Sequence, residues 1–80
     1  MKRIKSMYFF AYGSVVVFDE KGAQVPKLQK NFVVETIKRA HKAGFKVDEK
    51  TELFLAGGIK GIPIVKKIDG KMCFNYKVIE

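Results

Sequence analysis

Eighty residues with 16 Lys and Arg against eight Asp and Glu, a formal net charge of +8, describe one small, strongly basic domain spanning 1–80. One cysteine excludes a disulfide framework, and one cysteine with one histidine excludes a Cys/His zinc site, so the chain reads as a reduced cytoplasmic protein. Hydrophobic residues make up 48% of the chain, enough for a core, but a deep catalytic cleft is hard to enclose at this size.

The chain opens "MKRIKSMYFFAYGSVVVF", basic and then mostly apolar, as a signal peptide begins. Tyr8, Tyr12, Gly13 and Ser14 interrupt the run, and "DEKG" offers no small-x-small cleavage site. The run is also shorter than the roughly 20 apolar residues that span a bilayer. It is therefore assigned to the fold. Ile4 to Phe18 is rich in aromatic and β-branched residues, which favour strands. Gly13-Ser14 marks either a bulge in one bent strand or the turn of a hairpin. Asp19 to Gly22 ends the region with turn chemistry.

Pro26 to Ala43 predicts the main helix, with Pro26 in its first turn and Gly44 as its stop. Leu28, Phe32, Val33, Ile37 and Ala40 recur at helical spacing as a buried stripe, and Lys27, Asn31, Lys38 and Lys42 line the opposite side. "FKVDEKTELFL" is open to two readings: Phe45 and Val47 as a short strand, with Thr51 capping a helical turn through Phe54. Asp48, Glu49 and Glu52 form an acidic patch without the glycine spacing of a calcium loop, so no metal is assigned. His41 is the only histidine, and no nucleophile or carboxylate stands at a recognisable spacing from it. No catalytic residue and no cofactor are assigned.

Asp69-Gly70 between apolar runs is a hairpin signal, with Ile62 to Ile68 and Lys71 to Ile79 as arms. Met72, Phe74, Tyr76 and Val78 alternate onto one face of the second arm, and Lys71, Cys73, Asn75 and Lys77 onto the other. The expectation is an α+β domain: N-terminal strand or hairpin, one amphipathic helix and a C-terminal hairpin, on one antiparallel or mixed sheet.

The glycine-rich run before that hairpin, "LAGGIKGIPIVKKIDGKM", does not fit the G-x-x-x-x-G-K-[ST] phosphate loop. Gly58-Ile59-Lys60-Gly61 matches the G-x-x-G clamp of KH domains, but a strand-forming flank follows where a helix belongs. Gly58 to Lys71, with Gly61, Ile62, Pro63, Asp69 and Gly70 at the matching positions, resembles the cis-proline segment of thioredoxin and glutaredoxin-like proteins. That resemblance implies a truncated thioredoxin-like α/β fold as the alternative architecture. It does not carry dithiol chemistry, because "AQVPKL" stands where the family has Cys-x-x-Cys and no final helix follows. Cys73 is expected to be a small, half-buried strand residue. Pro63 is placed at the first residue of an edge or entry strand.

The functional expectation is a small non-catalytic binding protein whose partner is nucleic acid, RNA ahead of duplex DNA. The charge supplies attraction to phosphates, and no duplex-reading motif is present. Lys27, Lys38, Lys42, Lys60, Lys66, Lys67, Lys71 and Lys77 are the phosphate-binding candidates, with Tyr8, Tyr12 and Tyr76 as candidates for base stacking. The alternatives are a phage-type regulator or inhibitor that binds a host protein or protein–RNA complex, and a redox-inactive thioredoxin-like adaptor.

Overall fold

In a computed structural model, which describes residues 2–25, 28 and 32–79, the N-terminal run folds as a hairpin. Strands β1 (Ile4–Phe9) and β2 (Val15–Asp19) pair antiparallel. Phe10 N–H donates to Ser14 O and Gly13 N–H to Phe10 O, both at 3.0 Å, with Gly13 at φ 95°. A three-residue connection closed by a left-handed glycine is a common hairpin solution, so Gly13-Ser14 closes a hairpin and does not interrupt one bent strand. Asp19 then closes the next turn: its Oδ1 accepts N–H bonds from Lys21 and Ala23, each 2.9 Å. The chain doubles back along β2, where Val25 N–H donates to Val17 O at 2.8 Å.

Helix α1 spans Val33–Lys42, shorter than the Pro26–Ala43 expected. Pro26, Lys27 and Asn31 lie outside the described residues. Phe32 is the extended N-cap residue (φ −98°, ψ 128°) and is 68% exposed, so it leaves the apolar stripe to which its spacing assigned it. Helical periodicity has no hold on a residue that precedes the first helical φ/ψ pair. Thr36, Ile37 and Ala40 are the helix's buried side chains, joined in the core by Leu28. Gly44 stops the helix as expected. Phe45 N–H reaches back to Ala40 O at 3.0 Å and Gly44 N–H to His41 O at 3.1 Å, which satisfies two terminal carbonyls.

Three further strands follow: β3 (Glu52–Leu55), β4 (Ile59–Ile68) and β5 (Lys71–Val78). The sheet order is β2-β1-β3-β4-β5, antiparallel throughout except that β3 runs parallel to β1. The architecture is α+β, one helix on a five-stranded mixed sheet. Thr51 does not cap a helical turn. Its hydroxyl donates to Ile4 O at 2.7 Å, and the next four residues enter the sheet. Pairing with β1, which buries Leu53 beside Met7, overrides the local signal. Phe45 and Val47 flank a single bridge between Lys46 and Arg3 in place of a strand.

Asp69 and Gly70 form the two-residue turn, with φ 50° and 78°. Pro63 sits fifth in β4, not first. The β3–β4 ladder runs only from Leu55↔Ile59 to Leu53↔Gly61, so the missing N–H of Pro63 lies past the end of β3. The described residues contain no cis peptide bond. Ile4, Met7, Val17, Ile37, Ala40 and Leu53 form the centre of the core, between α1 and one face of the sheet. Among the described residues, no helix is long and apolar enough to cross a membrane.

Candidate nucleic-acid interface

Register sorts the strand residues onto two faces. Met7, Leu53, Gly61 and Val78 align across β1, β3, β4 and β5 on the helix side. Tyr8, Phe54 and Lys60 align one residue further along, on the face that no described helix covers. There the Tyr8 and Phe54 rings stack, centroids 4.6 Å apart and planes 7° from parallel. Phe18 meets Tyr8 edge-on at 5.8 Å, and Lys60 Nζ lies 5.6 Å from the Phe54 centroid on that ring. The parallel β1–β3 pairing creates this row, because it brings two aromatic residues side by side on adjacent strands. Phe54 is thereby held between an aromatic ring and a cation.

Lys60, Lys66, Lys71 and Lys77 share this open face and are all exposed. They surround a strip made of Ile62, Ile64, Cys73 and Asn75. Lys67 alternates onto the helix side, where Lys38 and Lys42 also lie on α1, and Lys27 is outside the described residues. The eight candidate lysines therefore do not make one surface. Of the candidate tyrosines only Tyr8 belongs to the aromatic row. Tyr12 stands 78% exposed at the first hairpin turn, its ring 5.5 Å from that of Phe10. Tyr76 alternates onto the helix side. Phe18 and Phe54 are the site residues that sequence reading missed. The signal for Phe54 was the alternation in "ELFL", which becomes legible once that stretch is read as a strand beside β1.

Comparison with protein-family models, with curated proteins and with solved structures returns no match.

An acidic turn borders the free half of β4. The turn at Asp48 and Glu49 and the Ile62–Lys66 run of β4 wall a depression just before β3 begins. Arg3 hydrogen-bonds the Asp48 carboxylate and holds it below the usual aspartate range, the Lys50 N–H adds to that, and partial burial opposes it. Cys73 is exposed and not half-buried, because β5 is an edge strand and, among the described residues, no helix covers its open side. His41 packs its ring 5.3 Å from Phe74 on the helix side, remote from the lysine face.

Proposed function

We propose that this protein is a small, non-catalytic, cytoplasmic binding module that takes single-stranded RNA on the helix-free face of its sheet. The observation that supports the reading is the coincidence, on one face, of four exposed lysines with the Phe18–Tyr8–Phe54 row. Lysines spaced along two antiparallel strands can follow a phosphate backbone, and a flat face suits unstacked bases better than a duplex groove. Lys60 is the movable member of the row. Displacing its ammonium from Phe54 opens that ring's outer face to a base, and the released charge stays within reach of the neighbouring phosphate.

The test is fluorescence anisotropy with labelled single-stranded and duplex RNA across a salt series. The expected result is preference for the single strand, with an affinity that falls steeply with salt. Each lysine removed from the contact set should reduce the log–log slope by about 0.7. Lys66→Glu with Lys77→Glu should weaken binding far more than Lys38→Glu with Lys42→Glu on the helix. Equal losses from both pairs, or no binding at low salt, would overturn the RNA face and leave the protein-directed regulator as the reading to pursue.

A further inference from the structure

The free edge of β5 is a separate feature that RNA binding does not use. In a two-residue hairpin the closing pair, here Ile68↔Lys71, is hydrogen-bonded, and bonded and non-bonded pairs then alternate. Met72, Phe74, Tyr76 and Val78 therefore turn their N–H and C=O groups away from β4, toward solvent. Tyr76 N–H bears this out: its partner is the Asn75 side-chain oxygen at 2.8 Å, not a strand. The same four residues carry the apolar side chains of the helix-side face. Helix α1 reaches Phe74 through His41, while Met72, Tyr76 and Val78 stay exposed. The other edges are less open. Residues Ala23 to Val25 fold back on β2, and the free half of β4 begins at Pro63, which has no N–H.

We propose that two copies of this chain pair antiparallel through β5 across a twofold axis at Asn75, giving one continuous ten-stranded sheet. Charge and strand overlap select the register. An axis through Phe74 would set Lys71 directly opposite Lys77 of the second copy, twice, and like charges face to face destabilise a ladder. An axis through Cys73 would leave Tyr76 and Val78 beyond the strand of the second copy. With the axis at Asn75, Met72 faces Val78, Phe74 faces Tyr76, Cys73 faces Lys77 and Lys71 faces Ile79, so no lysine opposes a lysine. All four outward-facing backbone positions then find partners, and Met72, Tyr76 and Val78 each gain an apolar cross-strand neighbour. Asn75, which now occupies the Tyr76 N–H, meets its own copy on the axis. The inference goes beyond the RNA reading and does not rest on it.

Sedimentation equilibrium on nuclease-treated protein tests it. The expected mass is twice the 9.1 kDa of one chain, and dimerisation should strengthen as salt rises, because salt screens the repulsion between two chains of charge +8. RNA binding has the opposite salt dependence, so the two readings fail separately. Met72→Lys with Val78→Lys changes two exposed side chains and should give a folded monomer. Directly opposed, non-hydrogen-bonded residues have Cα atoms about 4.5 Å apart, within disulfide reach. Cys73→Ser with Asn75→Cys should therefore cross-link under the thiol oxidant diamide, more completely than wild type does through Cys73. A single-chain mass at every salt concentration, a dimer that survives the lysine substitutions, or cross-linking confined to Cys73 would each overturn the proposal.

Discussion

Arg3 and Asp48, 45 residues apart in sequence, are joined by a side-chain hydrogen bond that fastens the start of β1 to the turn leading into β3. The same turn is closed by Thr51 N–H donating to Asp48 O at 2.9 Å, while the Thr51 hydroxyl reaches Ile4. Arg3, Ile4, Asp48 and Thr51 thus set the register of the parallel ladder on which the aromatic row depends.

This pair makes stability pH-dependent. Arg3, as the strongest influence, holds the folded-state Asp48 carboxyl below its ordinary value of 3.8. A lowered folded pKa stabilises the fold fully above the unfolded value, and that stabilisation is lost as pH falls through the folded value. Urea midpoints measured from about pH 6 to about pH 2 should fall less steeply for Asp48→Asn than for wild type. Parallel curves for the two proteins would show that the pair does not contribute to acid sensitivity.

Gly61 is needed for space and not for an unusual φ. A Cβ built there would lie 2.8 Å from the Lys77 carbonyl oxygen, a backbone atom held by the β4–β5 ladder. Gly61→Ala should therefore destabilise by about 1–3 kcal/mol, with the ladder forced to shift. Thermal unfolding at each denaturant concentration gives the measurement, and a neutral result would mean that β5 can move away freely.

Gly70 tests the turn itself. Its φ of 78° lies in the left-handed region, which a β-branched residue avoids. Gly70→Val should cost about 1–3 kcal/mol, whereas Gly70→Asn should cost less, since asparagine tolerates this region. Similar melting temperatures for all three proteins would contradict the turn geometry.

The Tyr8–Phe54 stack should register as coupling. In a double-mutant cycle with Tyr8→Leu and Phe54→Leu, the interaction energy should be about 0.5–1.5 kcal/mol in stability. The same variants should weaken single-stranded RNA binding more than duplex binding. Additive effects on stability would mean that the rings are neighbours without mutual attraction.

Local chemistry was readable from the sequence, and long-range pairing was not. Asp69-Gly70 announces its turn, Gly44 announces the helix stop, and alternation in β5 separates Phe74 from Lys77. "TELFL" suggests a helical turn because Thr51 is a good cap and four residues are too few to display a period. What makes them a strand is Met7 lying beside Leu53, a contact between distant parts of the chain. The aromatic row was invisible for the same reason. Tyr8 was named, but its partner Phe54 depends on that parallel register. The lysines were found individually, and only the register shows that Lys66 and Lys67 point to opposite faces.

The parallel ladder between β1 and β3 also has a kinetic meaning. The β1–β2 and β4–β5 hairpins each close over a few residues, and each can form on the microsecond scale. Joining them requires Ser6, Met7 and Tyr8 to find Glu52, Leu53 and Phe54 across the whole helix-bearing segment. That closure loses chain entropy before any core contact repays it, so it sets the barrier. Strands β1 and β3, whose pairing sets Met7 beside Leu53 in the core, are then the last to come together.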